Sequence, residues 1–181
     1  MKVTVVIPCR NEEKNIEACI HAIYSNSICK REAIEVLVID GMSDDNTREI
    51  LKNLNNTYPT LAIIDNEKKV TPVAFNLGIK NATGDFIQII GSRQIISENY
   101  LEKAVEFLEG NSEVWCIGGA VENIYENSTS EIISKAMDTP FGVGSGNFRI
   151  LKESAYVDTV GTPMYPKWVF EKVGLFDEAL V

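Results

Sequence analysis

The sequence predicts an α/β protein with a mostly parallel sheet and helices on both faces. Between residues 3 and 108, β-branched apolar runs alternate with segments whose apolar residues recur at helical spacing. The runs are apolar without alternation, as in strands buried on both faces. A β-α-β-α order of this kind favours parallel strands joined by crossover helices. Polar clusters follow the predicted strands, where ligands bind in such sheets.

The first two strand–helix units have clear boundaries. Val3–Ile7 predicts a strand that Pro8 ends, and a polar loop leads into a helix whose apolar positions are Ile16, Cys19, Ile20 and Ile23. Ile34–Ile39 predicts a second buried strand, closed by Asp40 and Gly41. The run Ser-Asp-Asp-Asn at 43–46 offers N-cap side chains. It therefore predicts a helix that buries Ile50, Leu51 and Leu54.

The next two units follow the same order. The predicted elements are a strand at Leu61–Ile64, a helix at Thr71–Ala82 with Pro72 in its first turn, a strand at Asp85–Ile90 and a helix at Glu98–Leu108.

The last third is less regular. It predicts strands at 114–121, 148–150 and 155–160, helices at 131–137 and 166–173, and a glycine-rich loop at 142–147. No repeat or linker is evident, so the pattern indicates one domain over residues 1–181.

Charge and composition narrow the function classes. Seventeen Lys and Arg against 26 Asp and Glu give a net charge of −9, which disfavours nucleic acid and anionic bilayers as partners. The N-terminal apolar stretch is too short for a signal peptide, and no run reaches the roughly 20 residues of a membrane span. We therefore expect a cytoplasmic location. The four cysteines form no C-x-x-C pair.

Common catalytic patterns are missing. The single histidine, His21, falls within the first predicted helix rather than at a strand end, where a nucleophile's base belongs. No Walker-type phosphate loop occurs. The glycine-rich loop at 142–147 lies far from the first strand, which disfavours a dinucleotide-binding role.

The acids and lysines at the predicted strand ends each have two possible interpretations. Asp40 either accepts hydrogen bonds from a nucleobase or ribose, or caps the turn that it makes with Gly41. Lys68 and Lys69 either meet a diphosphate or form a solvated surface pair. Glu12, with its neighbour Glu13, also suits the first turn of a helix, where the dipole favours acids.

Three motifs carry a resemblance to a known family. They are Val-Val-Ile-Pro-Cys-Arg-Asn-Glu-Glu at 5–13, Val-Ile-Asp-Gly-Met-Ser-Asp-Asp-Asn-Thr at 38–47, and Ala-Phe-Asn-Leu-Gly-Ile at 74–79 followed by Ala-Thr-Gly-Asp-Phe-Ile at 82–87. In order and spacing they resemble the family 2 glycosyltransferases of the inverting GT-A type. Segments 142–147, 157–160 and 169–178 resemble the branch that contains succinoglycan-type exopolysaccharide transferases.

The resemblance implies a GT-A fold, with residues 1–110 as the nucleotide-binding half and 111–181 as the start of the acceptor half. Its motif positions imply a nucleotide pocket lined by Pro8, Arg10 and Glu12, with Asp40 at the base and Lys69 near the base or phosphates. Gly144, Ser145 and Gly146 would lie on the acceptor side.

Two departures from the family pattern bear on catalysis. The family holds Mg²⁺ or Mn²⁺ with acids after the fourth strand, but Gly91, Ser92 and Arg93 stand at the matching positions, which makes a metal doubtful. The family's catalytic base would lie beyond Val181, so the chain is expected to be C-terminally incomplete, with its catalytic residue unknown.

The resemblance implies sugar transfer from a UDP- or GDP-sugar to a glycan or lipid-linked acceptor in polysaccharide biosynthesis. A missing C-terminal part would allow association with the inner face of a membrane. The alternatives are a non-catalytic nucleotide-sugar-binding or scaffold module with a degenerate metal motif, and a nucleotidyltransferase, for which the first loop lacks the glycine-rich, basic pattern.

Overall fold

The structure, a computed structural model, describes residues 2–28, 34–125, 127–137, 139 and 153–180. These residues form two compact units. The first comprises Met1–Ile117 together with Met164–Val181, and the second comprises Gly118–Pro163. The prediction of a single domain with halves at 1–110 and 111–181 stays a prediction. In the contacts of the chain, the last residues belong with the first unit.

The first eight elements alternate as the sequence predicts. They are β1 (Val3–Cys9), α1 (Ile16–Tyr24), β2 (Ile34–Asp40), α2 (Thr47–Thr57), β3 (Leu61–Asp65), α3 (Thr71–Asn81), β4 (Phe86–Ile89) and α4 (Tyr100–Gly110). The later elements are β5 (Ile117–Gly119), α5 (Ser128–Met137), β6 (Gly161–Pro166) and α6 (Trp168–Val173).

The strands form a six-stranded sheet in the order β3-β2-β1-β4-β6-β5. β1 pairs in parallel with both β2 and β4, β2 pairs in parallel with β3, and β6 runs antiparallel to β4. The predicted fold class, α/β with a mostly parallel sheet, is confirmed.

Two apolar clusters cover the two faces of the sheet. On one face Val3, Val5 and Ile7 pack with buried side chains of α1, α2 and α4. On the other face Val6 packs with α3, and Phe170 and Phe176 of the C-terminal segment lie against the same cluster. Alternate residues of β1 thus face opposite layers, as the period of a strand requires.

Gly78 explains how closely α3 approaches the sheet. A Cβ atom at this position would overlap the side chain of Val6 in β1. Only a residue without a side chain lets the helix lie this close to the central strand. The glycine in the third motif therefore has a packing reason.

Several predicted boundaries were wrong. β1 continues through Pro8 to Cys9, because β4 pairs with β1 only as far as Val6 and Pro8 loses no hydrogen bond to it. No strand forms at 155–160, since the strand lies at Gly161–Pro166. Two prolines lie within that strand, and because proline is rare inside strands the sequence pattern did not predict it. Pro166 ends the strand rather than starting a helix, and α6 begins at Trp168.

The second unit contains α5 and the glycines of β5. The predicted strand at 114–121 shortens to Ile117–Gly119, and the predicted helix at 131–137 begins earlier, at Ser128. The predicted glycine-rich loop at 142–147 and strand at 148–150 lie outside the described residues. Within the residues that are described, no helix combines the length and the hydropathy needed to cross a membrane.

Candidate functional site

Parallel pairing brings the first strand ends to one edge of the sheet. Cys9 lies opposite Asp40, and Asp40 lies opposite Asp65, so β1, β2 and β3 end side by side. The Ile90 amide donates to the Val6 carbonyl, which brings the chain after β4 to the same edge. The polar residues that follow these strands are therefore neighbours in space, as the sequence predicts.

The loop after β1 is bonded to the loop after β2. Asn11 adopts a left-handed backbone with φ of 54°, which asparagine tolerates better than most residues. Its amide donates to the Ser43 hydroxyl at 2.9 Å, and the side chains and backbone of Asn11 and Asp44 exchange two further hydrogen bonds. The Glu12 amide donates to Thr47 at 2.8 Å. These bonds hold the first and second motifs as one surface.

Arg10 lies across the start of the second loop. A Cβ atom at Gly41 would stand 3.3 Å from both Cβ and Cδ of Arg10, so the glycine lets the arginine stem pass closely. Arg10 is exposed and Pro8 is half-buried. Pro8 and Arg10, two of the three predicted pocket residues, therefore lie at this edge of the sheet.

Asp40 is fully buried at the end of β2. Its carboxylate accepts the Ser43 hydroxyl at 2.5 Å and the Ser43 amide at 3.1 Å, so it caps the turn that follows the strand. Arg48 Nη1 donates to the same carboxylate at 3.0 Å. The capping interpretation describes the observed contacts, and the contact with a base stays a prediction.

Arg48 joins two strand ends, a role that the sequence did not reveal. Its Nη2 donates to Asp65 at 2.7 Å while Nη1 holds Asp40. Arg48 lies in the first turn of α2, eight residues after Asp40. No sequence motif links these two positions. Knowledge of the β2–β3 register would have been needed to find it.

The two lysines after β3 have different surroundings. Lys68 forms an ion pair with Glu178 at 2.8 Å, so one member of the predicted pair is engaged by the C-terminal segment. The hydrogen bond from Lys68, and then that from Asn76, lowers the pKa of Glu178. Lys69 is exposed and has a left-handed backbone, with φ of 59°.

The residues after β4 meet the first loop through Arg93. Its Nε donates to Oε1 and Oε2 of Glu12 at 2.8 and 3.0 Å. Glu12 is 8% exposed and also accepts a bond from Asn15. The Gly91 amide donates to the Gln94 side chain at 2.6 Å, and Ser92 is buried.

These residues do not fit a divalent metal. Gly91 has no side-chain ligand, Ser92 offers a neutral hydroxyl, and Arg93 carries the same sign of charge as the ion. Glu12, the nearby acid, is occupied by Arg93. Over the described parts of the chain, no group of three or more His, Cys, Asp or Glu could hold a metal ion.

His21, Cys9 and Cys19 are the remaining candidates for a base or a nucleophile, and their contacts are those of structural residues. His21 Nδ1 lies 2.7 Å from the Tyr58 hydroxyl on the outer side of α1. Burial raises the pKa of both Cys9 and Cys19 to about 12, which keeps these thiols protonated at neutral pH. The predicted acceptor-side residues Gly144, Ser145 and Gly146 lie outside the described residues.

Most of the chain matches the model of a known family. The model of the family described as "Glycosyl transferase family 2" matches residues 4–174. The chain belongs to glycosyl transferase family 2.

Relatives of known name are longer than this chain. A dolichyl N-acetyl-alpha-D-glucosaminyl phosphate 3-beta-D-2,3-diacetamido-2,3-dideoxy-beta-D-glucuronosyltransferase of Methanococcus voltae is 34% identical over 182 residues, covering 97% of this chain and 56% of the relative. The succinoglycan biosynthesis protein ExoA of Rhizobium meliloti is 34% identical over 104 residues, covering 56% of this chain and 31% of that protein. The chain thus spans about half or less of these relatives.

Solved structures share the fold at lower identity. S. aureus TarS 1-349, in complex with UDP-GlcNAc, superimposes with a TM-score of 0.74 at 21% identity, covering 97% of this chain and 48% of TarS. The mannosyltransferase PcManGT of Pyrobaculum calidifontis, in complex with GDP-Man and Mn²⁺, gives 0.70 at 21% identity, covering 97% and 47%. The predicted GT-A fold is confirmed.

Proposed function

We propose that this chain is the nucleotide-sugar-binding part of an inverting glycosyltransferase. The donor is a UDP- or GDP-sugar, and the acceptor is a glycan or a lipid-linked saccharide. The observation that carries the proposal is the convergence of the loops after β1, β2, β3 and β4 at one sheet edge, in a chain of glycosyl transferase family 2. Ligands of open α/β sheets bind at this edge.

The relatives support the choice of donor and acceptor. The name of the M. voltae protein describes transfer to a dolichyl-phosphate-linked sugar, and TarS and PcManGT are complexed with UDP-GlcNAc and GDP-Man. The succinoglycan protein, equally identical at 34% over a shorter segment, supports a role in polysaccharide biosynthesis. We infer that the full-length protein works at the cytoplasmic face of a membrane that carries its acceptor.

The residues of the edge suit the parts of a nucleotide. Pro8 and the Arg10 stem supply apolar surface, and Lys69 is an exposed cation beside the β3 end. Arg93 uses Nε for Glu12, and its side chain is 75% exposed, so the terminal guanidinium nitrogens can meet a diphosphate. We assign Pro8, Arg10, Glu12 and Lys69 to the nucleotide and Arg93 to the diphosphate.

The reaction proceeds by displacement at the sugar. The acceptor hydroxyl loses a proton to a base and attacks the anomeric carbon from the face opposite the leaving group, so the configuration inverts. The bond from that carbon to the nucleoside diphosphate breaks, and both electrons leave with the phosphate oxygen. Arg93 stabilises the charge that develops there. No described residue is assigned to the base.

A second candidate function is nucleotide-sugar binding without catalysis. The observation that favours it is the replacement of the metal-binding acids by Gly91 and Arg93. Such a module would retain the edge built by Arg10, Glu12 and Asp40. In the full-length protein it would bind the donor without releasing nucleoside diphosphate when acceptor is supplied, whereas the transferase would release it.

Calorimetric titration with UDP and GDP tests the proposal. We expect at least one of them to bind, and Arg10→Ala to weaken that binding about tenfold through lost contacts with the nucleotide. Lys172→Ala is the matched control, because Lys172 lies over the Trp115 ring rather than at the strand ends. Failure of both nucleotides to bind, or equal weakening by both variants, would contradict the proposal.

A further inference from the structure

The chain after β4 makes a closed turn from Gly91 to Gln94. The Gln94 amide donates to the Gly91 carbonyl at 2.9 Å, which is the hydrogen bond of a β-turn. The Gln94 side chain adds a bond in the opposite direction, because its Oε1 atom accepts from the Gly91 amide at 2.6 Å. These reciprocal bonds fix both ends of the turn, and Ser92 and Arg93 are its central residues.

Gly91 leaves room for the Gln94 side chain. A Cβ atom at position 91 would stand 3.3 Å from Gln94 Oε1, which is tighter than most side-chain contacts. Any side chain at position 91 would therefore press on the atom that accepts the Gly91 amide. The glycine that removes a metal ligand from this loop is thus also the residue that admits the Gln94 side chain.

The turn buries one of its central side chains and presents the other to solvent. The Cys19 thiol of α1 donates to the Gly91 carbonyl at 3.7 Å, which ties the turn to the helix beneath it. Ser92 is 7% exposed, whereas the side chain of Arg93 is 75% exposed. The conformation of the turn therefore decides that the arginine is the side chain that a ligand can reach.

We propose that Gln94 is a positioning residue, which closes this turn and so directs the Arg93 guanidinium towards the terminal phosphate of the nucleoside diphosphate. This inference rests on the proposed function, in which Arg93 meets the diphosphate. Glu12 holds Arg93 at its Nε atom and the turn holds it at the backbone, so the side chain is fixed at both ends. A side chain fixed before binding loses less conformational freedom when the phosphate arrives, and this preorganisation increases affinity.

The contribution of the second phosphate to affinity isolates this role. UDP and UMP share their base, ribose and first phosphate, as do GDP and GMP, so each pair differs only in the contacts of the terminal phosphate. A residue that acts through Arg93 should reduce this difference. A residue that only maintains the fold should weaken diphosphate and monophosphate equally.

Calorimetric titration of the wild-type chain and of Gln94→Met with these four nucleotides tests the proposal. Methionine has a similar length to glutamine but no carbonyl oxygen, so the Gly91 amide loses its acceptor. We expect Gln94→Met to weaken the preferred diphosphate about three- to tenfold and to leave its monophosphate within about twofold. In an Arg93→Ala background the same change should have no further effect, because the two residues act as a unit. Gly91→Ala should reproduce part of the loss.

Ile95→Met is the matched control, because it introduces the same side chain at the next position, where Ile95 is 52% exposed. It should change neither affinity, and thermal unfolding establishes that each variant is folded. The inference would be overturned if Gln94→Met left both affinities unchanged, weakened both equally, or still weakened the diphosphate in the Arg93→Ala background. Each of these results would leave the proposed function standing. Failure of the wild-type chain to bind any of the four nucleotides would contradict both.

Discussion

The Nε atom of Arg93 donates to both carboxylate oxygens of Glu12, at 2.8 and 3.0 Å. This pair joins the loop after β4 to the loop after β1. It places a fixed cation where the family pattern places metal-binding acids. Glu12 orients the guanidinium through one edge, and in the proposed function this side chain supplies the charge that would face the diphosphate.

Arg93→Ala should lower nucleotide affinity without unfolding the chain. The Arg93 side chain is 75% exposed but that of Glu12 is 10% exposed, so the change leaves a mostly buried carboxylate bonded to Asn15 and should cost about 1–3 kcal/mol of stability. Its hydrogen bonds to a diphosphate would be charge-assisted, and their loss should weaken binding about tenfold or more. Calorimetry and thermal unfolding measure the two effects separately. An unchanged affinity would mean that Arg93 pairs with Glu12 and does not contact the nucleotide.

Glu35 should make stability depend on pH at the opposite edge of the sheet. Partial burial opposes its ionisation, but hydrogen bonds from Thr4 and Thr83 and the charge of Lys2 outweigh this and lower the pKa of Glu35. A lowered pKa in the folded state adds stability above the unfolded value of about 4.3. This stability is lost as pH falls through the folded pKa.

Glu35→Gln should therefore destabilise the chain by about 1–3 kcal/mol at pH 7 and reduce its loss of stability in acid. Urea unfolding at pH 7 and near pH 3.5 gives both quantities. Glu106→Gln, an exposed residue of α4, is the matched control and should change neither. If the stability of wild type and of Glu35→Gln changes with pH in the same way, Glu35 is not the source of the pH dependence.

Gly78→Ala should destabilise the fold, whereas Gly110→Ala should not. A Cβ at Gly78 would overlap Val6, and such overpacking costs about 1–3 kcal/mol. A Cβ at Gly110, the last residue of α4, meets nothing within 4 Å. The alanine there should be neutral or stabilise by up to about 1 kcal/mol. If both changes have the same effect on chemical unfolding, helix propensity rather than contact with β1 sets the cost.

Asn76 should anchor the C-terminal segment to α3. This buried side chain donates to the Phe176 carbonyl and accepts from the Phe176 amide, both at 2.9 Å, and it donates to Glu178 at 3.1 Å. Asn76→Ala should cost about 1–3 kcal/mol and speed proteolysis after Phe176. Asn81→Ala, in the same helix but exposed, is the control. Equal proteolysis rates for the two variants would mean that apolar packing alone retains the segment.

Much of the fold could be predicted because its central strands β1, β2 and β4 are buried along almost their whole length. Val3–Ile7 and Ile34–Ile39 are apolar runs interrupted only by Thr4 and Glu35, and their alternation with amphipathic helices leaves few possible topologies. The sequence did not predict β6, because Pro163 and Pro166 lie within this strand. Its role as an antiparallel neighbour of β4 depends on pairing that no local pattern records.

The candidate site could be predicted as a region, but not in its pairings. The strand-end rule placed Arg10, Glu12, Asp40 and Arg93 at one edge. The hydrogen bonds from Arg48 to Asp40 and Asp65 depend on the register of β2 and β3. The contact between Arg93 and Glu12 depends on how close two loops come whose residues are 81 positions apart in the sequence. Long-range geometry of this kind is absent from a single sequence.

In the proposed function, this edge binds a nucleoside diphosphate through protein cations rather than through a metal. The most direct test is calorimetric titration of the wild-type chain with UDP and GDP, once in excess EDTA and once in Mn²⁺. We expect at least one nucleotide to bind in both buffers, with affinities within about threefold, because Arg93 would supply the positive charge. Binding that appears only with Mn²⁺ would show instead that a metal ion is required.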